Sequence, residues 1–268
     1  MFEIKHRDGH TLHVITGATT LAKAIKIAVR QRLDLSGARL DGAELYCVNL
    51  ERVRFEGASF VDANFALSNL EQVSFAGCDL THARLDGCNL EEADFTRALL
   101  IGATMRGANL EEARFEEADL SGAMLHGVNL EEGDLRRACI EGATFKRANL
   151  EHAHLENARA ACATFAHCNL EKADLRGADF TRADLSGCNL ERVDLRDAKL
   201  VEVDARGANI ERCDLRGADL TRADFREANL ERCDIDGARM EGTRLESARV
   251  EGLRGRPASG TLWTGPYR

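Results

Sequence analysis

Large apolar residues return at every fifth position from Leu35 to Val250 without an insertion; only Ala160 and Ala205 break the run. Two residues before each of these centres sits a small residue, most often Ala, replaced at Val48, Ser68, Cys78, Gly133 and Thr243 among others; the first unit, with Leu33, is the exception. Polar residues fill the remaining positions, as in ANLEEARFEEADLSGAML (108–125). A period of five suits neither regular element. On an α-helix five residues turn about 500°, so successive centres step by about 140° and spread around the whole surface. On a strand an odd period throws successive centres to opposite faces. A chain that turns once per five residues points every centre at one axis.

A second period sets the number of turns. Asn-Leu-Glu recurs every twenty residues from 49–51 to 229–231, with Asn-Ile-Glu at 209–211. Twenty residues are four units, so the coil has four sides. At β-strand spacing of about 4.8 Å per coil, about 11 coils make a rod about 53 Å long.

ADLRGADFTRADLSGCNLERVDL (173–195) resembles the pentapeptide repeat family, whose pattern is A-(D/N)-L-x-x. The resemblance covers residues 33–252. It implies an all-β solenoid, a right-handed quadrilateral β-helix of about 11 coils; the spacing argument yields four sides but not the hand. The core is then a stack of Leu and Phe layers, each burying roughly 1.5–3 kcal/mol of side chain. Ala160 and Ala205 predict local voids or a contracted coil, and RAACATFAHC (159–168) is the expected weak point.

The ends read differently. FEIKHRDGHTLHVI (2–15) predicts a hairpin around Asp8-Gly9. TTLAKAIKIAVRQR (19–32) predicts a helix capped by Thr19 or Thr20, with Leu21, Ile25, Ala28 and Val29 on one apolar face. Residues 1–32 are thus an N-terminal hairpin-plus-helix cap, 33–252 the repeat, and 253–268 a C-terminal tail or thin cap. Trp263 and Tyr267 make that tail a candidate docking strip.

Charge sharpens the picture at one place. The chain carries a net charge of −9, and segment 91–134 alone holds eleven acidic and three basic residues, a net of −8. A column of glutamates, Glu51 to Glu231 at twenty-residue steps, puts one carboxylate per coil on one side. Neighbours at about 4.8 Å repel by about 0.9 kcal/mol even in water. Lys172, Arg192, Arg212 and Arg232 directly follow column glutamates in the C-terminal half and offset this; Glu92, Glu112 and Glu132 follow them in the middle. The candidate partner-binding patch is therefore Glu91, Glu92, Glu111, Glu112, Glu116, Glu117, Glu131 and Glu132. The Asn and Asp residues before the centres are read as structural, bonding the backbone at turns.

No chemistry of another kind is indicated. Nine cysteines show no CxxC pair, and Cys78, Cys88, Cys168, Cys188, Cys213 and Cys233 take the small inward position as apolar filler. Free thiols in a reduced, cytoplasmic setting are expected. His152, His154, His167 and Cys162 lie on different sides of the coil and predict no metal site. No GxSxG, P-loop or dinucleotide fingerprint appears, so neither a catalytic residue nor a cofactor is expected. Negative charge argues against direct nucleic-acid binding, and no apolar run suits a membrane. The function expected is a non-catalytic rigid scaffold that binds a protein partner, basic or DNA-binding, through its partly acidic face. The resemblance implies a narrower alternative, a DNA-mimicking modulator of a type II topoisomerase that inhibits or protects gyrase. A homodimer is compatible with flat ends but not required.

Overall fold

The computed structural model describes residues 1–258. From Arg39↔Ser59 to Asp234↔Arg254, the residue before each centre forms a parallel bridge to the residue twenty positions later. The chain is a β-solenoid with four units per coil.

Each unit explains its own five residues. The carbonyl of a centre accepts the N–H of the residue three later, as from Ala113 to Leu110 at 3.0 Å, closing a β-turn. The third residue of that turn has positive φ, 56° at Glu112 and 63° at Gly107, the mark of a type II turn. A side chain in that conformation costs roughly 1–2 kcal/mol. The stack imposes it, because three other N–H groups of the unit bond to neighbouring coils. Leu110 donates to Asn129 O at 2.6 Å, Glu112 to Glu131 O at 2.9 Å, and Asn109 back to Cys88 O at 2.9 Å. The last N–H, on the residue after the centre, is taken by the Asn or Asp before it. Thus Arg176 N reaches Asp174 Oδ1 at 3.1 Å, and Thr96 N reaches Asp94 Oδ1 at 2.9 Å. Every backbone donor of such a unit has a partner, which is why the pattern asks for a short polar residue there.

The core runs along the axis. Every centre from Leu35 to Met240 is no more than 2 % exposed. Phe55, Phe75, Phe95 and Phe115 share one corner, and their rings stack at 5.7, 5.4 and 4.8 Å. Phe145 and Phe165 stack at 4.8 Å on the opposite corner. At Ala160 the hydrogen-bond ladder between coils is unperturbed. The Ala160 N–H bonds to Asp179 O at 2.7 Å, the same length as its neighbours make, and the alanine is fully buried. Phe180 occupies the same corner one coil later, with its ring 5.3 Å from that of Phe165. Ala205 is followed in the same way by Phe225, so a large neighbour accompanies each small centre.

The inward cysteines are more than filler. Cys168 and Cys188 donate their S–H groups to the carbonyls of Phe145 and Phe165, each at 2.9 Å, and Cys213 and Cys233 reach Leu190 and Ile210 at 2.8 Å. Ser68 and Thr243 do the same with hydroxyls, to Leu45 at 2.9 Å and Leu220 at 2.8 Å. The position therefore accepts any small side chain that is apolar or carries one donor aimed at the preceding coil. Burial pushes the Cys78 thiol up to about 12 and the Cys88 thiol up to about 11, which keeps both protonated. All nine cysteines are free.

The expected hairpin and helix are present at the N-terminus. Strands β1 (Phe2–Lys5) and β2 (Thr11–Ile15) pair antiparallel. Helix α1 (Leu21–Arg30) is capped by Thr20, whose hydroxyl accepts Lys23 N at 3.2 Å. Ala24, Ile25 and Ala28 are its buried face, with Leu21 and Val29 packed partly against the core. The outer edge of the hairpin closes the end of the solenoid: Arg39 N donates to Lys5 O at 2.7 Å and Arg7 N to Gly37 O at 2.8 Å. An otherwise open edge of backbone groups is thereby paired. At the other end Leu245 and Val250 are only partly buried, and the chain after Gly255 returns to the coil above through Ala258 N to Ala238 O at 2.9 Å. Trp263 and Tyr267 lie outside the described residues.

Candidate partner-binding face

The glutamate column stands on the turn that follows each Asn-Leu pair. Beneath it the asparagines form a continuous ladder. Each Nδ2 donates to the Oδ1 of the asparagine one coil earlier, from 3.5 Å at Asn69–Asn49 to 3.0 Å at Asn229–Asn209. In the middle of the rod the same amides also hold the column carboxylates. Asn109 reaches Glu91 at 3.4 Å, Asn129 reaches Glu111 at 3.3 Å, and Asn149 reaches Glu131 at 3.2 Å. The repulsion expected along the column is thus offset by amide donors, a source not legible from charge alone.

The third residue of the turn adds the second row. Glu92, Glu112 and Glu132 are exposed, with φ of 54°, 56° and 56°. Gln72 donates to Glu92 at 3.0 Å. Among the described residues, none of Glu91, Glu92, Glu111, Glu112, Glu131 and Glu132 has a cationic group within ion-pair distance. Six carboxylates, two per coil in three successive coils, form one strip.

Glu116 and Glu117 do not join it. They stand on the next turn around the coil and are neutralised there. Arg97, one coil earlier, meets Glu117 at 2.8 Å; Arg137, one coil later, meets Glu117 at 3.2 Å and also pairs with Glu116. The hydrogen bond from Arg97 is the main influence holding the Glu117 carboxyl below its usual range. The eight-residue patch read from the sequence is therefore two features, a bare strip and a neutral cluster.

The C-terminal half is neutralised in a further way. Arg206, Arg216 and Arg226 each grip the Asp two residues earlier through two nitrogens, at 2.9 and 2.6 Å for Arg206–Asp204. These bonds hold Asp204, Asp214 and Asp224 below the ordinary carboxylate range. His152 and His154 each approach a glutamate, Glu151 and Glu156, at 3.8 and 3.9 Å.

Two features went unread in the sequence. A groove of about 960 Å³ lies between α1 and the first coils, lined by Val29, Arg32, Leu33, Glu51, Arg52 and Arg54 among others, so the surface is not free of clefts. In the hairpin turn, His6, Asp8 and His10 bring ligand atoms within 4.8 Å of one another. The signal was the alternation His-x-Asp-x-His across a turn already expected to be tight.

These observations define a β-solenoid whose walls carry rows of side chains at coil spacing. The family profile described as Pentapeptide repeat region matches residues 48–125. The profile described as Pentapeptide repeats (8 copies) matches 138–177, 178–217 and 213–252. The chain belongs to the pentapeptide repeat family, whose fold is the right-handed quadrilateral β-helix. Among solved structures it is similar to HetL, a pentapeptide repeat protein involved in heterocyst differentiation regulation from the cyanobacterium Nostoc sp. strain PCC 7120. Identity is 26%, over 87% of this chain and 93% of that one, with a TM-score of 0.32. QnrB1, a plasmid-mediated fluoroquinolone resistance protein, matches at 26% identity over 60% of this chain and 87% of its own, with a TM-score of 0.34. A pentapeptide repeat protein of the Arabidopsis thaliana thylakoid lumen matches at 30% identity over 35% and 66%, with a TM-score of 0.35. No curated protein matches the sequence.

Proposed function

We propose that this protein is a non-catalytic scaffold of about 11 coils that presents its acidic strip to a basic protein partner. The observation that carries the reading is the set of six carboxylates from Glu91 to Glu132 with no ion pair, standing on turns whose backbone is bonded to both neighbouring coils. Rigidity matters because a partner that meets preset charges loses less conformational freedom on binding. The strip focuses negative potential and steers a basic surface toward it. The test is a pull-down from lysate with the wild type and with Glu92→Lys, Glu112→Lys and Glu132→Lys combined. Loss of the captured partner in the variant supports the proposal; equal capture by both removes the strip as the docking surface.

The spacing favours one second reading, mimicry of DNA toward a type II topoisomerase. Two carboxylates per coil of about 4.8 Å give about one charge per 2.4 Å of rod, against one per about 1.7 Å of duplex axis. The match extends over three coils only, and Arg97 and Arg137 interrupt it on the neighbouring turn. A supercoiling assay with purified gyrase decides it: inhibition, or protection from a quinolone, supports mimicry, and no effect at micromolar protein removes it.

A further inference from the structure

We propose that His6, Asp8 and His10 form a three-ligand site for a divalent transition-metal ion, Zn²⁺ in the first instance, at the tip of the cap hairpin. The site is separate from the acidic strip and does not depend on the function proposed above.

The geometry converges on one point. Asp8 Oδ1 lies 3.1 Å from His6 Nδ1 and 2.6 Å from His10 Nδ1. The two imidazoles stack, with centroids 4.8 Å apart and planes inclined by 19°. Zinc takes nitrogen at about 2.0–2.1 Å and carboxylate oxygen at about 2.0–2.2 Å, so tetrahedral donors sit roughly 3.3–3.5 Å apart. The His6–Asp8 separation is close to that already. His10 has to open by less than about 1 Å, and its exposed side chain is free to turn; its exposure is 58%.

The backbone holds the site ready. His6 N donates to His10 O at 2.9 Å and Gly9 N to His6 O at 3.0 Å, closing the turn. Gly9, at φ 100°, takes a conformation that side chains rarely adopt. Asp8 N points to His6 Nδ1 at 3.4 Å, which calls for the tautomer with a lone pair on that nitrogen. The other side of the His6 ring rests on Gly37, where an added Cβ would fall 2.2 Å from Nε2. That contact fixes the ring and ties the site to the first coil. Arg7, between the ligands in sequence, sends its guanidinium away to Gly57 O at 3.0 Å.

The donor set selects the metal. Two imidazole nitrogens and one carboxylate suit zinc, cobalt, nickel or copper, and disfavour magnesium and calcium, which want oxygen. The solvent-facing side leaves a fourth position for water. Because the metal binds the closed hairpin and not the unfolded chain, it also stabilises the cap over the end of the solenoid.

The test uses the full, tag-free chain. Zn²⁺ is titrated against a chromophoric chelator for the wild type, His10→Gln and Asp8→Asn. Both substitutions are at exposed positions, so circular dichroism is expected to be unchanged. One zinc per wild-type chain is expected, weakened at least about tenfold in each variant, with Mg²⁺ not competing. Co²⁺ spectra guard against the free cysteines: a spectrum without a thiolate charge-transfer band assigns the ion to the hairpin. Wild type that binds no zinc at about 100 µM, variants that bind it equally well, or a thiolate band that survives His10→Gln each overturn the proposal.

Discussion

The turn after each Asn-Leu or Asn-Ile pair runs the length of the rod, and two stretches of it solve one problem differently. In coils 91–132 the column glutamates are held by asparagine amides, and a second glutamate follows each. In coils 191–232 the residue that follows is arginine; Arg192 pairs with Glu191 beside it, and the next two reach back one coil. Arg212 meets Glu191 at 3.1 Å, and Arg232 meets Glu211 at 3.1 Å. There, among the described residues, the side-chain amides of Asn209 and Asn229 donate only to the asparagine one coil earlier. Backbone register and turn geometry are the same in both, and the buried centres under the column differ only by Ile210 in place of a leucine. Charge is thus written on an unchanging frame, because the third residue of the turn faces solvent and answers only to its backbone conformation.

Three measurements test whether the two stretches differ only in surface charge. The largest effect tests the frame. Leu110→Ala and Leu190→Ala are each expected to cost about 2–5 kcal/mol in urea unfolding, since both empty a buried corner. A gap between them above about 2 kcal/mol would mean the two regions do not share one core. The second separates amide from guanidinium. Asn129→Ala is expected to cost about 1–3 kcal/mol, because it breaks the ladder and strips Glu111 of its side-chain donor. Asn209→Ala is expected to cost about 0.5–1.5 kcal/mol, as Glu191 keeps Arg212. Equal costs would show that the amide–carboxylate bonds contribute nothing. The smallest effect exchanges the chemistries. Glu112→Arg should stabilise by about 0.2–1 kcal/mol and Arg212→Glu destabilise by as much. Both shifts in Tm should fade at high salt; a salt-independent shift would point to packing instead.

Much of this was legible early. The period of five with its small inward partner settled the buried axis, and the period of twenty settled which residues share a column. That register places Arg97, Glu117 and Arg137 in one line, so their pairing is readable by column, whereas a sum of charge along the chain hides it. Cys168 and Cys188 were correctly placed inward, but the direction of their S–H groups toward Phe145 and Phe165 was not visible. The His6-x-Asp8-x-His10 alternation is visible in the chain, but the contact of the His6 ring with Gly37 is not, because it depends on how the hairpin docks on the first coil.

A repeat of five inside a repeat of twenty, with no insertion, leaves one arrangement apart from its hand: every centre is buried, and each backbone donor pairs within its own unit or with a neighbouring coil. Which surface charges stand alone follows from how side chains meet across coils. Whether a carboxylate is answered depends on reaching a donor one coil away, at 3.3 Å from Asn129 to Glu111 or 2.8 Å from Arg97 to Glu117. Side-chain reach and rotamer, not periodicity, settle that. Column membership constrains which groups are neighbours; it does not say which of them touch.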